Sequence, residues 1–447
     1  MSDGPAPLAQ RFAEAMGQAL GPDFPEDIGL AVSGGGDSMA MLHLAADWAR
    51  VWGVRLWVCT VDHGLRAESG EEARMVAAEA QARGLPHATL RWEGWDGRGN
   101  LQDAARRARQ DLIGRWRGRL RHVLFAHTRD DQAETLLLRL RRGSGVEGLS
   151  GMAAVQRVHG APTENDTVPG APPRAQEPTP DWHIVRPLLE AERAELRHYN
   201  KVLRIPYADD PSNDDPRFDR VRIRALLTTL GQEGLDTARL SDTAQRLRRA
   251  RVALGRRAHD AARASLVPCD DPGARGSVIL ERDTFAEIET DTQLRILSAA
   301  LQFVASADYR PRESALEQAM DRWLSGATTT LHGCTMIAQA ARLIVAREFA
   351  AVAGSTAPAE PQTPWDRRWA VFGPETRGLE VRALGEAGLA QAGPRDRAPL
   401  PRAALLAHPA LWDGGELVAC PAIGHGPTVR IDLHPPGGHF PDRLLSH

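Results

Sequence analysis

Ser33-Gly34-Gly35-Gly36-Asp37-Ser38 is the stretch on which the fold turns. Ahead of it stands Ile28-Gly29-Leu30-Ala31-Val32, a short apolar run that reads as a buried parallel strand. Behind it, Met39 to Ala49 is apolar almost all round, the pattern of a helix buried in a larger domain. A strand that runs through glycines into a helix N-terminus exposes several backbone N–H groups in one concave turn. The helix dipole reinforces them, so the turn suits a phosphate chain. Glycines let the backbone approach closely, and Ser33 and Ser38 add hydroxyl donors. Asp37 is the odd member, because a carboxylate beside polyphosphate is repulsive unless a divalent cation sits between them. The bland reading is an ordinary glycine turn. Two familiar nucleotide loops are excluded. A Walker A loop needs a lysine, and Lys201 is the only lysine in the chain. The dinucleotide fingerprint G-x-G-x-x-G fails because Asp37 and Ser38 occupy its spacing.

Working outward, Arg55 to Val61 is a second β-rich run that ends in Asp62-His63-Gly64-Leu65-Arg66. In an open α/β sheet this end lies at the same edge as the glycine turn, where ligands bind. Asp62, His63 and Arg66 are thus placed to reach a nucleotide, or else to be solvated turn residues. A helix (Glu71 to Arg83) and a strand (His87 to Trp92) follow. Leu101, Ala104, Ala105, Ala108, Leu112 and Trp116 recur at helical spacing, with Arg106, Arg107 and Arg109 beside or opposite that stripe. The strand from His122 to Ala126 ends in His127-Thr128-Arg129-Asp130-Asp131-Gln132-Ala133-Glu134-Thr135. Thr128 reads as an N-cap with Asp131 as its capping-box acid, and Glu134 projects from the same face as Asp131. Two carboxylates side by side at this edge form a site for a cation, either a metal or an ammonium. The alternation of strand and helix up to Gly148 predicts a parallel sheet with helices on both faces.

These motifs carry a resemblance. The loop resembles the SGGxDS loop of the ATP pyrophosphatases. Val61–Arg66, His127–Thr135 and Arg142-Gly143-Ser144-Gly145-Val146-Glu147-Gly148-Leu149 follow it in the order found in the tRNA(Ile)-lysidine synthetase family. Arg186-Pro187-Leu188-Leu189, Ile205-Pro206-Tyr207 with Asp210-Pro211-Ser212-Asn213, and Arg220-x-Arg222-Ile223-Arg224 match the same family, which the resemblance spans over about residues 28–226. Gln110 and Val221 depart from the family's tyrosine and asparagine. The resemblance implies an adenine nucleotide alpha-hydrolase-like fold, followed by a helical linker and smaller C-terminal domains. It implies ATP on Ser33–Ser38 (with Asp62, His63, Arg66 and His127 at the nucleotide) and Mg²⁺ held by Asp37. It further implies a tRNA(Ile) with a CAU anticodon and free L-lysine as partners. Asp131 and Glu134 are then the candidates for the lysine ammonium, and Arg106 or Arg109 for its carboxylate or for the nucleotide. Rivals are another enzyme with this loop, such as a tRNA thiolase or an amide-forming ligase, and a non-catalytic tRNA-binding protein. Neither clustered cysteines nor a glutaminase nucleophile is visible.

The expected domains are residues 1–226, a basic helical linker at 227–275, a tRNA-contacting middle domain at 276–352 and a small β-rich domain at 365–447. By resemblance the last contacts the acceptor arm. Six prolines between Val158 and Asp181 predict a disordered surface insertion. Trp182 to Pro187 reads as the sheet's last strand, and Gly354 to Pro364 as a linker. Residues 217–257 hold eleven arginines against four carboxylates, a local charge of +7 that the total of −3 conceals. Arginine suits phosphate, so this stretch reads as an RNA-backbone surface or, in the plainer reading, a solvated linker. No run of about 18 apolar residues predicts a membrane span, and the first 27 residues lack the pattern of a signal peptide. Cys59, Cys269, Cys334 and Cys420 are too scattered for a C-x-x-C site and imply reduced thiols and a cytoplasmic home. A homodimer is left open.

Overall fold

The computed structural model describes residues 6–64, 69–93, 95, 101–159, 168–173, 181–209, 219–268, 273–393 and 400–445. The chain divides into two compact units, residues 1–251 and 252–446. In the first, α1 (Leu8–Leu20) precedes β1 (Asp27–Ala31), α2 (Gly36–Trp52), β2 (Arg55–Asp62), α3 (Ser69–Ala82), β3 (His87–Arg91) and α4 (Leu101–Trp116). Then come β4 (His122–Phe125), α5 (Arg129–Arg141), α6 (Val146–Leu149), β5 (Val155–His159), β6 (Asp181–Val185), α7 (Arg193–Leu203), α8 (Asp219–Gln232) and the first part of α9 (Thr237–Ser265), which from Val252 belongs to the second unit.

The sheet runs β3-β2-β1-β4-β6-β5. The first five strands are parallel, as the alternation of elements predicts, and β5 pairs antiparallel to β6 along the edge. The Trp182 strand, β6, is the sheet's last in chain order, as expected, while β5 takes the edge beside it. Val155–His159 is too short for its periodicity to stand out, and only pairing against β6 makes it a strand. Side chains alternate between the two faces, as the pleat requires. Leu30, Val58 and Leu124 join Phe12, Met39, Leu42 and Leu196 in one core. Cys59, Val123, Phe125 and Ile184 join Leu112, Ile113 and Trp116 of α4 in the other. Two apolar faces explain the unpatterned strands and the all-round burial of α2. The strand order reverses between β1 and β4, and the crevice at their C-terminal ends is where open α/β sheets take ligands.

Two proline-rich stretches differ from expectation. Within the stretch expected as a disordered insertion, Pro172 is buried. Val168 and Ala171 pack against the α4 core, and the Pro173 carbonyl accepts a bond from Arg119 N–H at 3.1 Å. Two apolar residues beside the prolines suffice to dock this piece. Within the expected linker, Thr356–Pro358 forms an edge strand against Glu380–Ala383, a position where proline's missing N–H costs nothing.

The second unit is one compact body that includes residues 276–352 and 365–446. Val278–Glu281, Arg342–Arg347, Cys334–Ala338 and Thr329–Leu331 form one antiparallel sheet. His332 and Gly333 both have positive φ (58° and 71°), the two-residue turn that matches strand twist. A second four-stranded sheet and a two-stranded ribbon lie between residues 356 and 433. Cys59, Cys334 and Cys420 are buried, and burial pushes the Cys334 thiol up to about 12. Cys269 lies outside the described residues. No helix among the described residues is long and apolar enough to cross a membrane.

Candidate active site

The glycine turn leaves β1 and enters α2 at Gly36, with Gly35 at the N-cap. Gly34 has φ +90°, a backbone state that favours glycine. Its carbonyl accepts a bond from Ala208 N–H at 2.9 Å, so the Ile205-Pro206-Tyr207 segment lies alongside the turn. Ser38 Oγ donates to the Gly35 carbonyl at 2.8 Å and accepts from Ser33 N–H at 3.2 Å. Asn200 Nδ2 donates to the Gly36 carbonyl at 2.8 Å. The turn is thus tied at both ends before any ligand arrives.

Across the crevice, α5 starts with the expected capping box. Asp131 Oδ2 accepts from Thr128 N–H at 2.8 Å, and Asp131 N–H donates to Thr128 Oγ1 at 3.4 Å. Capping uses Oδ2 and leaves Oδ1 for the site.

Between the turn and α5 lies a cavity of about 470 Å³. Ser33, Gly35, Gly36, Asp37, Ser38, His63, His127 and Asp131 all line it. Four other expected residues do not. Gly34 is engaged through its backbone. Asp62 accepts from Gly64 N–H at 2.9 Å, and the Ser69 hydroxyl lowers its pKa against the effect of burial, so it orders the turn after β2. Arg106 is exposed on α4. Glu134 is only 1% exposed and lies sealed outside the cavity wall. Arg66 lies outside the described residues.

The sequence reading placed a metal or ammonium between the two carboxylates. In the structure the cation there is the chain's own Arg193, at the start of α7. Its Nε donates to Asp37 Oδ2 at 3.2 Å, Nη2 to Asp131 Oδ1 at 3.1 Å and Nη1 to Glu134 Oε1 at 3.1 Å. Its backbone N–H donates to Asp130 Oδ2 at 2.8 Å. Arg224 Nε adds a second contact to Glu134 Oε1 at 2.7 Å, while Glu134 Oε2 is buried without a hydrogen-bond partner among the described residues. Three carboxylates thus share two guanidinium groups, and a fourth, Asp130, is held by the Arg193 backbone. Burial, opposed by Arg193 and reinforced by Asp131 and Asp130, raises the Asp37 pKa to about 6. For Asp131 burial acts upward too, but Arg193, with the Thr128 N–H and Arg220, outweighs it and holds the pKa below the ordinary value. Burial lowers Arg193, and the surrounding carboxylates more than reverse that. Sequence reasoning missed Arg193, since a lone arginine at a helix start has no local signature.

The cavity's other wall is cationic. Arg109 lines it with its guanidinium carbon 5.9 Å from the centre of the Phe125 ring. Burial, then repulsion from Arg106 and Arg220, lowers it to about 10. His63 packs edge-on against Trp92, with ring centres 5.7 Å apart. Acidic and basic walls facing each other across a phosphate-type turn suit a substrate carrying both charges, or two substrates of opposite charge.

A doubly wound sheet with a glycine-serine turn and an aspartate at its switch point defines a PP-loop protein, and residues 8–230 match the PP-loop domain family. Over 425 residues the chain is 40% identical to the tRNA(Ile)-lysidine synthase of Ruegeria pomeroyi, covering 95% of each protein. It is 41% identical over 310 residues to that of a Bradyrhizobium species (67% of this chain, 80% of the relative). The Wolbachia pipientis relative of the same name is 33% identical over 355 residues, 77% of each. The chain belongs to the tRNA(Ile)-lysidine synthase family, a family of carbon–nitrogen ligases.

Proposed function

We propose that this chain ligates free lysine to C2 of the wobble cytidine in the CAU anticodon of tRNA(Ile), through an adenylated tRNA, with release of pyrophosphate and AMP. The observation that supports this reading most is the meeting of the Ser33–Ser38 turn with Asp37 and Asp131 in one cavity at the sheet's switch point.

In this reading the turn binds the phosphates of ATP. Among the described residues no three side chains form a metal cage. One carboxylate beside a phosphate turn nevertheless suits Mg²⁺, which takes one or two carboxylates and fills its shell with phosphate oxygens and water. Asp37 would hold that ion, which when bound offsets the charge growing on the leaving pyrophosphate. Cytosine O2 attacks the α-phosphorus, forming the O–P bond as the bond to pyrophosphate breaks. The base is reached by turning it out of a single-stranded loop, which costs less than opening a duplex. The lysine ε-amine then attacks C2, AMP leaves with the former O2, and the nitrogen loses a proton.

Lysine arrives as an ammonium, since its ε-amine ordinarily titrates at about 10.4. Asp131 on the cavity wall and Glu134 behind it form its site, which Glu134 joins only as Arg193, the cation that lysine exchanges with, moves aside. Asp131, held low, binds the ammonium and relays its proton instead of keeping it. Arg109, already on the cavity wall, suits the lysine carboxylate or the nucleotide better than exposed Arg106. Residues 276–352 and 365–447 hold the body of the tRNA in the same reading.

The test is to incubate the protein with ATP, lysine and CAU-anticodon tRNA(Ile), digest the tRNA and weigh its nucleosides. Lysidine in place of the wobble cytidine is the expected product. An unmodified cytidine, with no AMP released, would refute the assignment.

A further inference from the structure

Arg186 opens the Arg186-Pro187-Leu188-Leu189 motif, and no step above uses it. It follows β6 directly and is 3% exposed, yet it has no carboxylate partner among the described residues. Its donors go elsewhere. Nη1 donates to the Ala153 carbonyl at 2.8 Å, Nη2 to Gln156 Oε1 at 2.7 Å and Nε to His127 Nδ1 at 3.2 Å. Its own backbone N–H donates to the Ala154 carbonyl at 2.8 Å. Acceptors in three directions fix the plane of the guanidinium. A guanidinium has donors only, so the imidazole nitrogen that meets it must carry the lone pair. The ring proton of His127 is therefore on Nε2.

We propose that Arg186 is a positioning residue that sets His127 as a permanent Nε2–H donor to a phosphate oxygen of the nucleotide, and that His127 is not a base. The inference rests on the reading of this cavity as the ATP and tRNA site. The ring is held a second way, since it stacks parallel to Phe125 (7° between planes, centres 6.1 Å apart). That leaves the Nε2 edge for the cavity His127 lines. Protonation at Nδ1 would put a cation against Arg186 in a buried place. Burial first, then the Arg186 charge, outweighs the attraction of Asp131 and pushes the pKa down to about 3. The imidazole stays neutral wherever the enzyme works. A donor on cytosine O2 would withdraw electrons from the nucleophile. The same donor on a non-bridging phosphate oxygen stabilises charge that builds during attack.

Two measurements on the full chain test this. With ¹⁵N-labelled histidine and no substrate, the His127 signals are those lost in His127→Gln. Nε2 should resonate as the N–H nitrogen and Nδ1 as the lone-pair nitrogen, unchanged from about pH 5 to 8. Both tautomers should appear in Arg186→Met, and the wild-type spectrum decides the matter if that variant does not fold. In pyrophosphate release, His127→Gln keeps an amide N–H near the Nε2 position and should stay within about tenfold of wild type. His127→Phe keeps the stack without a donor and should fall about a hundredfold or more. A proton on Nδ1, or a glutamine variant as slow as the phenylalanine one, overturns the proposal. So does a His127→Phe variant that binds a non-hydrolysable ATP analogue normally but tRNA weakly, since that moves the acceptor to the cytosine. The spectrum is read without turnover, so a wild-type chain that makes no lysidine refutes the function above and leaves the tautomer result standing.

Discussion

Two buried arginine clusters, one in each unit, handle charge in opposite ways. Around Arg193, three carboxylates share two guanidinium groups, with Asp130 on the Arg193 backbone N–H, at the wall of a cavity of about 470 Å³. Around Arg368 the excess is positive. Arg347 donates to both oxygens of Asp366 at 2.9 Å, and Arg368 Nε to the same carboxylate at 3.3 Å. Two further donors go to carbonyls, Arg347 Nη1 to Gly333 at 2.6 Å and Arg368 Nη1 to Gly276 at 2.8 Å. The space left beside them is about 10 Å³, room for roughly one water. Its wall includes His408, which burial, then the Arg368 charge, pushes down to about 4. Burial of charge is common to both clusters and so does not mark function. Uncompensated charge of one sign beside open volume does, because only there can an incoming cation complete the set.

The contrast breaks first at Asp366. Asp366→Asn leaves two buried guanidinium groups on a neutral amide and should cost about 3–5 kcal/mol in urea unfolding of the full chain. A loss under about 1 kcal/mol would mean those cations are hydrated, and the cluster no longer the sealed counterpart of the Arg193 site.

Asp37→Asn should do the reverse, leaving the fold intact and reducing pyrophosphate release about 10²–10³-fold. Protonation mimics the substitution. With its pKa raised to about 6, Asp37 loses its charge as pH falls through that value, so kcat/KM for ATP should decline there with a slope of one. The stability sign is opposite. The folded state holds this proton more tightly than the unfolded one, so Asp37's contribution is present below pH 3.8 and lost as pH rises through about 6. Near-normal turnover in the variant would remove Asp37 from the metal.

Glu134→Gln keeps volume and removes one charge from the ammonium site, a contact commonly worth about 1.5–3 kcal/mol. Lysine affinity should fall by roughly ten- to a hundredfold, while adenylation without lysine survives. If adenylation fails and lysine affinity holds, the Asp131–Glu134 pair serves ATP.

The smallest effect concerns cations that neither cluster uses. In the basic stretch Arg224, Arg251 and Arg257 pair with Glu134, Glu147 and Glu289, whereas Arg246, Arg248 and Arg249 have no carboxylate partner among the described residues. Replacing these three with alanine should flatten the salt dependence of tRNA binding by up to about three contacts, with ATP binding unchanged. An unaltered slope would return them to a solvated helix face.

What was legible in the sequence was local. The glycine turn, the α4 stripe over Leu101–Trp116 and the capping box at Thr128 and Asp131 are each written within one or two helical turns. Spacing and cap chemistry operate at that range, and the resemblance follows from the same short motifs. Tertiary structure alone decided which partners meet. Arg193 reaches carboxylates 59 to 156 residues away, and Arg186 reaches a histidine 59 residues away. Val155–His159 becomes a strand only against β6. No periodicity encodes such pairings, because a long charged side chain fits many local patterns equally well. Its partner is chosen by where the sheet order brings strand ends together, and at the switch point between β1 and β4 that choice put a chain arginine where the sequence alone pointed to a ligand.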